Sequence, residues 1–147
     1  VYARAMQVEG VGPGQMRIEP GRVGLYAEEL MARRSTPYNW LAKISVFTLK
    51  KNWETAARNQ TWVYEALLAC ALERYRGANG SYPKTLDVLA PQSLKKLPHD
   101  LITGEPLKYR RLSDDRFLLY SVGWDGNDDN GDSNGNADWV WCAPERE

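Results

Sequence analysis

No run of apolar residues in this chain approaches the roughly 18 needed to cross a bilayer, and its first residues lack the basic-then-apolar layout of a secretion signal. Membrane association is therefore expected only through a segment that this sequence does not contain. An excess of either charge is missing too. The 19 Lys and Arg against 19 Asp and Glu argue against a nucleic-acid or anionic-membrane binder, since such partners are ordinarily met by a basic excess. Histidine occurs once and cysteine twice. His99, beside Asp100, has no serine or cysteine nucleophile with a recognisable activation motif near it, so no catalytic residue is assigned. Cys70 and Cys142 either pair in an oxidising compartment or stand as two buried thiols, Cys70 falling on a helical face expected in the core. Ring-bearing side chains, by contrast, are plentiful. Six Trp, eight Tyr and 43% hydrophobic residues exclude disorder for most of the length, and 147 residues suit one compact domain with a peripheral arm.

Proline and glycine punctuate the chain unevenly. They crowd residues 1–21, which reads as an arm, and are absent from Trp40 to Arg76, which permits one long helix or two with a break near Lys50 to Asn52. Before it, Val23, Tyr26 and Leu30 mark a short amphipathic helix from Arg22 to Arg34. In the long helical stretch, Ala56, Val63, Leu67, Cys70 and Ala71 gather on one side and Glu54, Arg58, Glu65 and Arg76 on the other, so the first group is expected to face a partner surface. Trp62 and Leu72 fall off that stripe and imply a second contact, with the arm or with another subunit. Gly77 and Gly80 stop the helix. Thr85 is placed to cap a short turn carrying Leu86 and Leu89 inward, with Pro91 ending it. Leu107 to Leu112 and Arg116 to Val122 read as an antiparallel hairpin about Ser113 to Asp115, and Trp139 to Trp141 as a third strand. Helix first and sheet second, without βαβ alternation, predicts an α+β fold with the long helix packed on a small antiparallel sheet.

Lysine and arginine are absent between Phe117 and Glu145. Residues 1–116 carry 18 basic against 12 acidic side chains, and the remainder carries one against seven. The neutral total thus joins a +6 part to a −6 part. Within the latter, residues 125–138 hold five Asp, four Asn and three Gly. Oxygen ligands on a pliable backbone, with no cation nearby in sequence, suit a hard divalent ion. Calcium accepts six to eight such oxygens, zinc would need the Cys or His that the loop lacks, and magnesium prefers to keep its waters. Asp125, Asn127 and Asp129 have the alternate spacing that opens an EF-hand loop, but Asn130 stands where Gly is required and Asn136 where Glu is required. A solvated turn-rich loop has the same composition.

Several short elements fall in a telling order: Asn79-Gly80-Ser81-Tyr82-Pro83, then Pro98-His99-Asp100 with Gly104-Glu105-Pro106-Leu107-Lys108-Tyr109, then Ser121-Val122-Gly123-Trp124-Asp125-Gly126, then Ala137-Asp138. Together they resemble the major pseudopilin of type II secretion systems over about residues 55 to 141. The resemblance implies a pilin-like α+β unit in which Asp125 and Asp138 give carboxylates to calcium and backbone oxygens of Leu119 and Ser121 add to them. Asn127, Asp129 and Asn136 complete the candidate ligand set, Asn136 standing where the family usually has an acidic residue. The Phe-headed apolar helix that opens a pseudopilin is missing. Residues 1–53 are therefore expected to be an N-terminal arm and helical extension, and 54–147 the pseudopilin-like domain. The implied role is a non-enzymatic structural or assembly domain of the bacterial envelope or secretion apparatus, periplasmic or envelope-located after export, which meets a protein partner or itself. The alternative is a calcium-dependent protein- or glycan-binding module of a larger exported protein, working through the loop and its tryptophans; Trp124, Trp139 and Trp141 offer a stacking platform, but core packing with alternating exposure is the favoured reading of them. Lys108 or Arg110 is expected to reach the acidic loop of a neighbouring molecule.

Overall fold

The computed structural model describes residues 17–90, 93–134 and 138–141. They form α1 (Pro20–Ala32), α2 (Pro37–Asn79), a 3₁₀ turn (Leu86–Leu89) and three strands, β1 (Lys108–Arg111), β2 (Phe117–Ser121) and β3 (Trp139–Trp141). The α+β order predicted from the sequence is the order observed. The side chains of Val23 and Tyr26, Pro91, Cys142 and the arm before Arg17 lie outside the described residues.

The long helix is a single 43-residue element, about 64 Å from end to end at 1.5 Å per residue. No break occurs at Lys50 to Asn52, and the boundary expected at residue 53 lies inside it. Its start is fixed by Pro37 in the first turn and by Asn39, whose Oδ1 accepts the Thr36 amide at 2.8 Å. It runs through Gly77 and ends at Gly80, which takes the left-handed φ of 80° and donates its amide to the Arg76 carbonyl. Lys43 ties α1 to α2. Its buried ammonium donates to the carbonyls of Met31 and Arg33 at the end of α1 and to Ser35 Oγ, neutralising orphan carbonyls with a cation at a helix C-terminus.

The sheet is antiparallel in the order β1-β2-β3. Tyr109 stands opposite Leu119, Leu119 opposite Trp141, and Ser121 opposite Trp139. Two apolar clusters lie between helix and sheet. The larger joins Leu68, Ala71 and Leu72 of α2 to Tyr82, Leu86, Leu89, Leu107, Phe117 and Leu119. The smaller joins Ala57 to Ile18, Ile102, Val122 and Trp139. Thr61 and Glu65, one and two turns after Ala57 on the same helix face, fall between the clusters and are fully buried.

The face of α2 that meets the sheet corrects the sequence reading. Val63, Leu67, Cys70 and Ala56 look to solvent, whereas Glu65 lies wholly inside and Leu72 belongs to the core. The second half of the helix carries two apolar stripes, one through Leu68, Ala71 and Leu72 and one through Val63, Leu67 and Cys70. Periodicity alone does not choose between them, and the stripe that continues the line of Ala57 won. Cys70, exposed with a free thiol, is accordingly not a core residue. Ile18, next to the described start of the chain, packs on the sheet side of the helix, and Trp62 stays 45% exposed.

Candidate functional site

The acidic segment leaves the end of β2 and returns as β3. Its exit is built around Asp100, a buried carboxylate in the loop between the 3₁₀ turn and β1. Asp100 Oδ1 accepts the amides of Ile102 at 2.7 Å and Thr103 at 3.4 Å, and Oδ2 accepts that of Val122 at 3.1 Å. One side chain thereby fixes a tight turn and anchors the residue that follows β2. His99 is buried beside it, bridged to Pro106, its ring centroid 6.2 Å from that of Tyr64.

Beyond Val122 the aspartates do different work. Asp125 is exposed and folds onto its own turn, its Oδ1 accepting the Asn127 amide at 3.0 Å and its Oδ2 the Asn127 side chain at 3.3 Å. Asp132 makes the same kind of turn with Asn134. Asp128 accepts the Tyr120 hydroxyl at 3.0 Å and the Asn130 amide at 3.1 Å, and the Lys108 ammonium lies 3.6 Å from its other oxygen. These contacts, the Asn130 amide foremost, hold the Asp128 carboxyl below its usual range. Lys108 thus serves its own loop. The sequence reading missed this because the cation sits 20 positions upstream and reaches the loop only through the β1–β2 pairing. Asn130 and Gly131 both take positive φ, and a Cβ on Gly131 would come within 2.8 Å of Leu118.

Asp138 closes the segment and is the one loop carboxylate inside the protein, 3% exposed. Its Oδ2 accepts the Gly131 amide at 2.6 Å, while its Oδ1 is buried without a partner. Burial pushes its carboxyl above the ordinary range, and the charges of Asp128 and Asp129 push the same way against the amides of Gly131 and Asp129. An orphan oxygen in a field of like charge is where a cation would lower the energy most.

The candidate ligands are therefore only partly gathered. Asp129 lies close enough to Asp138 to act on its charge. Ser121 ends β2 and is paired on one side only, with Trp139, whereas Leu119 is paired on both sides in mid-strand, where the ladder claims its carbonyl. Asp125 and Asn127 face each other, and Asn136 lies outside the described residues. Among the described residues no three His, Cys, Asp or Glu side chains form a metal cluster. The tryptophans do not make a platform: Trp139 is buried, Trp124 packs half-buried against the smaller cluster and Trp141 against the larger. A groove of about 610 Å³ opens nearby, lined in part by Arg17, Leu25, Ile102, Glu105 and Gly126. His99 does not line it. No helix among the described residues is long and apolar enough to cross a membrane. No protein-family model, curated protein or solved structure matches the chain.

Proposed function

We propose that this chain is a non-enzymatic, pseudopilin-like structural or assembly domain of the bacterial envelope or secretion apparatus, and that calcium orders its acidic segment. The observation that carries the metal part is the buried, unpartnered Oδ1 of Asp138, set among the charges of Asp128 and Asp129. Asp138 would supply one carboxylate, Asp129 a second, and Ser121 a backbone oxygen at the strand end. Calcium would neutralise the repulsion that the loop otherwise carries, and its flexible coordination suits a donor set drawn from carboxylates, amides and carbonyls. The ion's work here is to hold the connection between β2 and β3 in one shape. The colinear elements from Asn79 to Asp138 carry the pseudopilin part.

Calorimetric titration of the chelator-stripped chain with calcium tests the reading. One site that Asp138→Asn weakens at least about tenfold supports it, since loss of a direct carboxylate ligand is worth more than about 1.4 kcal/mol. Absence of heat and of any calcium-dependent change in the tryptophan fluorescence at millimolar calcium would remove the metal from the account.

A further inference from the structure

Ala56, Val63, Leu67 and Cys70 of the stripe that the sequence marks face away from the sheet, while Ala71 of the same stripe lies in the core. On α2, Trp40 (61% exposed), Leu41 (68%) and Ile44 (50%) lie near one end, and Trp62 (45%), Val63 (52%) and Leu67 (48%) near the other. At 100° per residue all six fall within about half of the helix circumference, roughly opposite the buried line of Ala57, Thr61, Leu68 and Leu72. They span about 40 Å of helix. Half-exposed, these side chains leave on the order of 700 Å² of apolar surface, in two groups of about 300–400 Å² at either end of a polar middle. That area is close to the roughly 800 Å² per partner of a standard protein interface.

We infer that this face is covered by a second copy of the chain, with the two long helices antiparallel about a two-fold axis beside Asn52 and Trp53. The pattern is self-complementary about that point. Residues 40–44 of each copy come opposite residues 62–66 of the other, so each apolar end meets an apolar end. The polar middle, with Lys51, Asn52, Thr55 and Arg58, meets its own counterpart. Opposed helix dipoles favour the antiparallel direction. The sheets and α1 then lie on the outer sides of the pair, clear of the contact. An isologous contact of this kind closes at two copies.

This inference rests on the assembly part of the function proposed above and names its partner, but it does not involve calcium, so the two can fail separately. Sedimentation equilibrium of the 147-residue chain at micromolar concentrations, with and without calcium, reads it. A dimer is expected in both conditions. Trp62→Glu and Leu41→Glu should each raise the dissociation constant by about tenfold per copy, hence about a hundredfold for the symmetric pair, with the thermal midpoint of the monomer unchanged because both side chains are exposed. Direction is read by oxidative cross-linking after Cys70→Ala and Cys142→Ala. Chains carrying Leu41→Cys should link to chains carrying Ala66→Cys and neither kind to itself. A monomer at 100 µM, assemblies larger than two, a dimer indifferent to both glutamates, or self-linked Leu41→Cys chains would each overturn the inference.

Discussion

Replacing Glu65 with glutamine should stabilise this protein, even though it removes a charged side chain from the middle of its longest helix. Glu65 is completely buried, and both its carboxylate oxygens lack a hydrogen-bond partner. Burial, with the Asp100 charge adding to it, pushes its carboxyl from 4.5 to about 8. At pH 7 the folded chain therefore holds a proton that the unfolded chain has released. Because the folded value is the higher one, the contribution of Glu65 to stability is greatest below about pH 4.5, falls by about 1.4 kcal/mol per pH unit as the unfolded carboxyl ionises, and levels off above about pH 8. The loss accumulated by pH 7 is roughly 3 kcal/mol. Glutamine has nearly the same shape and no proton to lose, so that loss disappears. Urea unfolding of the wild type and Glu65→Gln from pH 4 to 9 measures it directly. The two should agree near pH 4 and diverge by roughly 3 kcal/mol at pH 7, about 10 °C in Tm for a chain of this size. A wild type whose stability does not fall across this range, together with a glutamine variant that is less stable at pH 7, would mean that Glu65 is ionised and paired, and would refute the reasoning.

Asp100→Ala strips the acceptor from the buried amides of Ile102 and Val122 and should cost about 3 kcal/mol in urea unfolding. With the Asp100 charge gone, the fall in stability with pH should also end at a lower pH than in the wild type. Gly131→Ala should cost about 1–2 kcal/mol, because alanine must adopt the φ of 88° and displace Leu118; the same substitution at Gly77, which has open space and helical φ, should stabilise by a few tenths to about 1 kcal/mol.

Much of the architecture is readable from local signals. The α+β order, the hairpin about Ser113 to Asp115, the third strand and the inward Leu86 and Leu89 follow from turn chemistry, strand propensity and spacing, and the structure has them. The orientation of α2 does not follow, because its second half is apolar on two sides and the choice is made by what packs against it. The same tertiary choice buries Glu65, which no helical pattern would place in a core. At the site, the abundance of oxygen donors is plain in the sequence, but the division of labour among them is not. Asp125 and Asp132 are consumed by local turns with the asparagines two residues on, a pattern that Asx-turn spacing announces. Asp128 is claimed by Lys108 and Tyr120, which only the strand register brings near. Asp138 is set apart by burial alone, and its position just before the third strand was the available clue.

Whether calcium belongs to the folded protein is most directly measured by the thermal midpoint of the chain in excess chelator, in millimolar magnesium and in millimolar calcium at fixed ionic strength. An ion bound by the native state raises the midpoint by mass action. With a dissociation constant of about 0.1–1 mM, common for extracellular calcium modules, 10 mM calcium should add about 1.5–3 kcal/mol and raise the midpoint by several degrees. Magnesium should add far less, and Asp138→Asn should cut the calcium shift to about half or less. Equal midpoints in chelator and in calcium would contradict the account, leaving the acidic segment a loop held by Asx turns and Lys108 alone.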